Sequence, residues 1–286
     1  MEYAIEVKGL TKKFETFYLD HINLSVPKGY IVGLIGENGA GKSTTIKSIL
    51  NLIHKDQGTI TVFGHDYQKK EKEIKEQIGV VFDNCHFPEQ LTANDLNLIM
   101  RQIYRNWDSH LYAEYLSRFK LPTKQIIKEF SRGMKMKLSL AVALAHRPKL
   151  LILDEPTSGL DPIVRNEILD IFLDFIQDEE HSILMSSHIT TDLEKIADYI
   201  TFLHNGKVIF SESKDSLLND YAIIKCNESN FNLIDRVDII KYKKSSYQYE
   251  VLVKNKKTLS NKYPTLIMDN ASIEDLMLLH IRGNQA

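Results

Sequence analysis

The segment GENGAGKST, residues 36–44, combines the residue types that bind a polyphosphate. Its glycines let the backbone turn sharply and point amide groups at an anion, and a helix that begins after the loop presents its positive N-terminal end to the same anion. Lys42 adds a point charge suited to the β- and γ-phosphates of a nucleotide, and Ser43 offers a hydroxyl to Mg²⁺. The segment predicts a site for a nucleoside triphosphate with Mg²⁺; an ordinary glycine turn is the alternative.

Two carboxylates follow the apolar run LLIL at residues 150–153. Such a run is typical of a buried parallel strand, and ligands bind at the carboxyl ends of strands in open α/β sheets. Asp154 is predicted to hold the Mg²⁺ shell, and Glu155 to polarise the attacking water, because phosphoryl transfer is catalysed mainly by positioning and electrostatics. A solvated acidic turn is the alternative for this pair.

A further candidate site lies in the segment FSRGMK. A helix that begins near Gly133, just after Ser131, points its amides and its positive dipole at a phosphate. A plain helix cap is the alternative.

Five segments occur in one order along the chain: GENGAGKST, FSRGMK, LLILDEP, SGLD and SSH. Together they resemble the ATP-binding subunit of an ATP-binding-cassette (ABC) transporter, over residues 2–212. The resemblance implies ATP hydrolysis, with Lys42 and Glu155 in catalysis and His188 at the γ-phosphate. Outside this family position, a lone histidine is usually structural or exposed.

The resemblance also implies two facing subunits. Ser131 and Gly133 of one subunit lie opposite the phosphate loop of the other, so one chain does not complete its own site. Asp161, in SGLD, belongs to the segment that links the two sites; a turn or helix-cap aspartate is the alternative.

Asp83 is the main departure from the family pattern, which usually has a glutamine that reaches Mg²⁺ and the attacking water. Aspartate is one methylene shorter and adds a negative charge, so it holds the metal differently or needs a neighbouring cation. The alternative is that Asp83 begins a turn with Asn84.

Phe14 lies where the resemblance places an aromatic ring stacked on adenine. The loop to Asp20 is one residue short of the expected length, which leaves Phe17 and Tyr18 as rivals. A core phenylalanine is the alternative.

Within the family, the chain resembles ABC-2-type exporter ATPases through ENGAGKST, the relaxed signature SRGM, Asp83 and the ending ASIEDLMLLHIRG. This implies a homo- or heterodimer at the cytoplasmic face of the membrane. The dimer drives export of a peptide, toxin or antibiotic, modulin-like toxins included, through a separate polytopic membrane subunit. That subunit is expected to dock in a groove formed by residues 84–90 and the helical lobe that carries Tyr104 and Trp107. The alternatives are an importer ATPase, a soluble ABC ATPase acting on ribosomes or DNA, and a regulator that binds ATP without turnover.

Composition agrees with these expectations. The 286 residues include 36 basic and 38 acidic side chains, which argues against a dedicated nucleic-acid partner. Cys85 and Cys226 form no CxxC pair, which disfavours a disulfide scaffold or a thiolate metal site. No apolar run approaches the ~18 residues of a membrane span, so another chain is expected to supply the spans.

The predicted fold is α/β: a P-loop NTPase of the ABC type, with a mixed central sheet and an inserted helical subdomain. We expect a nucleotide-binding domain over residues 1–214, with the helical subdomain at 84–148. A small α+β accessory region at 215–286 is expected to lean on the main domain or on a dimer mate. The predicted strands are 3–7, 22–26, 30–35, 79–82, 150–153, 182–186, 200–203, 207–210 and 221–225, with a hairpin over 237–253. The predicted helices are 42–53, 94–104, 109–119, 134–145, 164–177 and 272–281.

The predicted ATP contacts are Phe14, Gly36, Glu37, Asn38, Gly39, Ala40, Gly41, Lys42, Ser43, Thr44, Ser131, Gly133 and Asp161. The predicted catalytic residues are Lys42, Glu155 and His188, and the predicted Mg²⁺ ligands are Ser43, Asp83 and Asp154.

Overall fold

The structure is a computed structural model that describes residues 2–67, 69–245 and 248–285. The strands are β1 (Tyr3–Lys13), β2 (Tyr18–Pro27), β3 (Ile31–Ile35), β4 (Gln57–Val62), β5 (His65–Asp66), β6 (Ile78–Val81), β7 (Leu150–Asp154), β8 (Ser182–Ser187), β9 (Tyr199–His204), β10 (Lys207–Ser213), β11 (Tyr221–Cys226), β12 (Lys241–Lys244), β13 (Tyr249–Lys254) and β14 (Met268–Asn270). The helices are α1 (Lys42–Ile49), α2 (Glu71–Lys75), α3 (Ala93–Ile103), α4 (Ser109–Arg118), α5 (Arg132–Leu144), α6 (Pro162–Phe175), α7 (Thr190–Ile196), α8 (Lys214–Asp220), α9 (Glu228–Phe231), α10 (Lys256–Lys262) and α11 (Ile273–Arg282). Within the described ranges, none of the helices is long and apolar enough to cross a membrane.

The central sheet has the strand order β10-β9-β3-β8-β7-β6, with β10 antiparallel to β9 and all other neighbours parallel. Its strands are covered on both faces. In β7, Leu150 and Ile152 pack in one hydrophobic cluster, while Leu151 and Leu153 pack in another. A parallel strand buried on both sides requires such an unbroken apolar run. The predicted α/β fold with a mixed central sheet is confirmed.

A second, antiparallel sheet of order β2-β1-β4-β5 covers one face of the central sheet. The sequence predicted β1 and β2 but not β4 or β5. Only Ile60 and Val62 carry the buried apolar pattern in β4, which is too short an alternation to recognise. The strand forms because it pairs with β1, a contact between distant parts of the chain.

The helical lobe consists of α3, α4 and α5. The hydroxyl of Tyr112 in α4 donates to the carbonyl oxygen of Ala93 in α3 at 3.0 Å, and α4 packs on α5. Trp107 donates from Nε1 to Asn97 Oδ1 at 2.8 Å and packs against the same core. Trp107 therefore stabilises the lobe from within.

Helix α1 ends at Ile49, four residues before its predicted end at residue 53. Asn51 has a positive φ of 55°, a left-handed backbone conformation with which a right-handed helix cannot continue. The N–H of Ile53 then donates back to the carbonyl oxygen of Lys47 at 3.2 Å, closing the turn.

The predicted hairpin over residues 237–253 forms between β12 and β13, but its first strand begins at Lys241. Arg236–Asp238 forms a 3-10 turn instead, which delays the strand. The predicted turn at residues 243–246 reaches Ser246, which lies outside the described residues.

The C-terminal sheet has the order β12-β13-β11-β14 and packs onto the nucleotide-binding part of the chain. Ile223 and Leu252 share a hydrophobic cluster with Phe202 of the central sheet. At the start of α11, the N–H of Ile273 donates to Glu194 Oε1 at 3.0 Å. The C-terminal region thus packs on the main domain, one of the two partners that the sequence left open.

Leu276 tests this shared core. Because its side chain is fully buried in the cluster that also contains the central sheet, Leu276→Ala should lower the free energy of unfolding by about 2–5 kcal/mol. Leu278→Ala, at a position that is 41% exposed on the same helix, should cost less than about 0.5 kcal/mol. Urea unfolding followed by circular dichroism measures both. A low-stability transition confined to the C-terminal region would contradict a shared core.

Candidate functional site

The loop between β3 and α1 is built so tightly that glycine is required at two positions. Gly41 has a φ of 110°, and a side-chain carbon there would lie 2.6 Å from Leu19 and 2.8 Å from Phe17. At Gly36, a side-chain carbon would lie 2.3 Å from the carbonyl oxygen of Leu203. The loop therefore curls over the carboxyl end of the sheet with its backbone exposed to a ligand.

Lys42 is the first residue of α1, and its side chain, which is only 5% exposed, reaches back to this loop. Its Nζ donates to the carbonyl oxygens of Gly36 at 2.8 Å and Glu37 at 3.3 Å. It also lies 3.1 Å from Glu155 Oε1. These oxygens offset the cost of burying the ammonium group.

Asp154 ends β7 and is 4% exposed. Its Oδ1 accepts two hydroxyl hydrogen bonds, from Ser43 at 3.1 Å and from Ser186 at 2.6 Å. The predicted pair of Ser43 and Asp154 therefore meets in the structure.

Glu155 follows directly, with a positive φ of 54°. Its Oε2 accepts from His188 Nδ1 at 2.6 Å and from the His188 backbone N–H at 3.3 Å. Its Oε1 is buried and, among the described residues, accepts no hydrogen bond, because the nearby Lys42 ammonium is close without being aligned. One oxygen of Glu155 is thus fixed by histidine, and the other keeps its acceptor capacity.

Lys42, Ser43, Glu155 and His188 line one cavity of about 520 Å³, while Asp154 is hydrogen-bonded to Ser43 of its wall. Its walls are Phe17, Glu37, Asn38, Gly39, Gly41, Lys42, Ser43, Thr44, Asp83, Glu155, Ser158 and His188. Asp83 enters the wall just beyond β6, and its Oδ2 accepts from Asn84 Nδ2 at 2.9 Å. Asp83 is therefore both a turn residue and a cavity residue.

Ser131, Gly133 and Asp161 are not on the wall of this cavity. Ser131 caps α5 by accepting the N–H of Met134 at 3.2 Å. Asp161 caps α6 by accepting the N–H groups of Ile163 at 3.0 Å and Val164 at 3.1 Å. Ser131 and Asp161 therefore each cap a helix of their own chain, as the alternative interpretations of the sequence predicted.

The structure places Phe17, and not Phe14, against the cavity. The N–H of Phe14 donates to the carbonyl oxygen of Phe17 at 2.7 Å, which closes a tight turn. This turn brings the Phe17 ring to Gly41, while Phe14 is 39% exposed beneath the ammonium of Lys12. The geometry favours the rival aromatic residue that the sequence left open.

Two site residues were not among the predicted ligands. Ser158 lines the cavity, and its position inside SGLD was the available signal. Ser186 contacts both acidic residues, and the available signal was its position in the segment SSH at the end of a buried strand.

The oxygen atoms at this edge of the sheet fit Mg²⁺. Ser43 and Asp154 supply hydroxyl and carboxylate oxygens, which are the ligands that Mg²⁺ prefers, and Glu155 Oε1 is a buried oxygen without a hydrogen bond. The described residues contain no cluster of three histidine, cysteine or acidic side chains that would form a cage of protein ligands. Mg²⁺ bound through few side chains and through substrate phosphates needs no such cage.

The fold and this site define a P-loop nucleoside triphosphatase. The sequence profile of the ABC transporter family matches residues 19–158. The chain is 38% identical over 212 residues to the bacitracin transport ATP-binding protein BcrA of Bacillus licheniformis, covering 73% of this chain and 69% of that protein. It is 34% identical over 218 residues to the lantibiotic transport ATP-binding protein SrtF of Streptococcus pyogenes, covering 75% and 93%.

A solved structure of an ATP-binding subunit of an ABC transporter is also similar. It has a TM-score of 0.67 and 29% identity, with coverage of 75% of this chain and 91% of that chain. The chain belongs to the ABC transporter family, as an ATP-hydrolysing, ATP-binding subunit.

Phe17 and Phe14 give a matched test of the nucleotide pocket. Phe17→Ala should weaken ATP binding by about tenfold, since base stacking on an aromatic ring contributes about 1–3 kcal/mol. Phe14→Ala should change it by less than about twofold on the same scale, and Phe17→Tyr should retain binding. Calorimetric titration with ATP, and with inorganic triphosphate as a ligand without a base, measures the effect. Equal losses for both ligands, or a larger loss for Phe14→Ala, would assign the base elsewhere.

Proposed function

We propose that this chain binds ATP with Mg²⁺, pairs with a second nucleotide-binding subunit, and drives export of a peptide, toxin or antibiotic through a separate membrane subunit. The observation that carries the proposal is the meeting of Lys42, Glu155 and His188 at one cavity, with Asp154 hydrogen-bonded to Ser43 of its wall. Relatives named for bacitracin and lantibiotic transport support the export of peptide antibiotics.

In the proposed site, the phosphate loop and Lys42 bind the phosphates, and Phe17 stacks on the base. Ser43 and Asp154, which are hydrogen-bonded to each other, would hold Mg²⁺, and Asp83 on the cavity wall would offer a third oxygen. Mg²⁺ bound there would neutralise negative charge that develops during phosphoryl transfer. Since Asp83 replaces a longer neutral side chain, it adds negative charge where the metal is held.

Glu155 is the proposed base for the attacking water. Its carboxylate lines the cavity, and among the described residues Oε1 accepts no hydrogen bond while it lies 3.1 Å from Lys42 Nζ. His188 fixes the other oxygen at 2.6 Å and thereby orients the carboxylate. This division of the two oxygens supports a positioning mechanism, which is how phosphoryl transfer is mainly catalysed.

The second subunit completes the proposed site. Ser131 and Gly133 begin the 13-residue helix α5, whose N-terminal end suits a phosphate, but they are absent from the cavity wall of their own chain. A partner copy or a related subunit would present them from the opposite side. ATP then acts as the link between the two chains.

The proposed dock for the membrane subunit is a cavity of about 610 Å³ between the central sheet and the helical lobe. Of the groove expected from the sequence, only Tyr104 lines this cavity, whereas residues 84–90 and Trp107 do not. Leu52 and Ile103 at its edge are 62% and 59% exposed, and Tyr104 forms part of the wall. An apolar groove of this kind suits an amphipathic helix. Docking here would hold the chain peripherally at the cytoplasmic face of the membrane.

Glu155→Gln tests the catalytic proposal. The change should lower ATP turnover by at least about 100-fold, because it removes the base, while ATP affinity stays within about threefold. Trapped ATP should also produce dimers, visible by size-exclusion chromatography with light scattering. Glu228→Gln, on the C-terminal region, is the matched control. Unchanged steady-state hydrolysis would remove Glu155 from this role.

Ile103→Glu tests the docking groove. A charge placed in an apolar interface should reduce recovery of a polytopic membrane chain at least about tenfold on affinity purification from solubilised membranes, because burying the carboxylate is costly. Val237→Glu, at a residue that is 90% exposed and far along the chain, should not. Both variants should retain ATP binding. Recovery of ribosomes in place of a membrane protein would contradict the transporter assignment.

A further inference from the structure

Ser186 makes an unusual set of contacts for a strand residue. It has no exposed surface and lies in β8, between β3 and β7, where it is paired with Asp154. Its Oγ donates to Asp154 Oδ1 at 2.6 Å and accepts the backbone N–H of Glu155 at 3.0 Å. One hydroxyl therefore contacts both consecutive acidic residues of the site.

We propose that Ser186 is a positioning residue that aligns Asp154 for Mg²⁺ and Glu155 for the attacking water. This inference rests on the proposed function, since it concerns the same metal and the same water. Ser186 itself touches neither, because its hydrogen and its oxygen are both engaged with protein atoms.

The contact with Glu155 constrains a strained backbone. A non-glycine residue at a φ of 54° is strained and persists only where its surroundings fix it. The N–H of Glu155 is directed at Ser186 twice, at the hydroxyl oxygen and at the carbonyl oxygen 3.2 Å away. Ser186 thereby holds the turn that points the Glu155 side chain at His188 and Lys42.

The contact with Asp154 fixes one carboxylate oxygen. Asp154 Oδ1 accepts hydrogen bonds from both Ser43 and Ser186, and neither hydroxyl donates to Oδ2. The Ser43 hydroxyl can give its hydrogen to Asp154 and its oxygen to Mg²⁺, whereas the Ser186 hydroxyl can only orient. Removing such an outer hydrogen bond commonly costs about 10–100-fold in metal affinity or activity.

The test is Ser186→Ala in a Glu155→Gln background, which needs no turnover. Calorimetric titration with ATP at stepped Mg²⁺ concentrations should show half-maximal binding at an at least about tenfold higher Mg²⁺ concentration. In EDTA, without free Mg²⁺, the dissociation constant for ATP should differ by less than about threefold between this variant and its Glu155→Gln parent. Ser182→Ala is the matched control: it is equally buried in the same strand, but its hydroxyl accepts the N–H of Gly29 at the opposite end.

A second readout uses the chain with Glu155 intact. Ser186→Ala should lower kcat by about 10–100-fold while KM for ATP at saturating Mg²⁺ changes less than about threefold. Ser186→Cys keeps a side chain of similar size but replaces the hydroxyl with a much weaker hydrogen-bond donor, so the Mg²⁺ dependence of ATP binding should shift as in Ser186→Ala. This variant serves as the test if Ser186→Ala does not fold.

A Mg²⁺ dependence within twofold of the Ser182→Ala control would overturn the inference, and the proposed function would stand. If the Glu155→Gln parent itself binds ATP without any dependence on Mg²⁺, the proposed metal site fails, and the inference fails with it. A thermal shift of similar size in Ser186→Ala and Ser182→Ala, with a Mg²⁺ shift in the first alone, supports positioning over a general loss of packing.

Discussion

The site depends on the parallel pairing of β3, β8 and β7. Backbone hydrogen bonds set Leu34 beside Ser186 and Ser186 beside Asp154, so the carboxyl ends of three strands meet at one edge. The loops that follow supply the phosphate-binding backbone, Glu155 and His188. Hydrophobic clusters on both faces hold this register, because a slip of one residue would turn every side chain to the opposite face.

That edge gathers charges that an apolar core cannot hold alone. Lys42 and Asp154 are 5% and 4% exposed, and each is surrounded by carbonyl or hydroxyl groups of the neighbouring turns. Glu155 Oε1 accepts no hydrogen bond among the described residues, but the Lys42 ammonium lies 3.1 Å away and compensates its negative charge.

Sequence reasoning found those parts of the site that local pattern specifies. The phosphate loop, Asp154 and Glu155 follow unbroken apolar strands, and the structure brings them together. Tertiary pairing decided the rest: β4 forms only because β1 lies beside it, and Ser186 gains its contacts from β7. The hydrogen bond from the N–H of Phe14 to the carbonyl oxygen of Phe17 closes the turn that places the Phe17 ring at the cavity. The spacing of residues along the sequence does not predict this hydrogen bond.

The helix ends of α5 and α6 show why one chain holds only part of the proposed chemistry. Ser131 accepts the N–H of Met134, so among the described residues the amides of Arg132 and Gly133 at the first turn of α5 form no hydrogen bond. A helix leaves such donors for water, caps or ligands, and its dipole adds positive potential at the same point. A side-chain carbon at Gly133 would lie 3.2 Å from Val164, so glycine at this position lets α5 pack closely against α6. In the proposed function, this helix end meets a nucleotide that is bound by a second subunit, which is the physical reason for proposing that ATP lies between two chains.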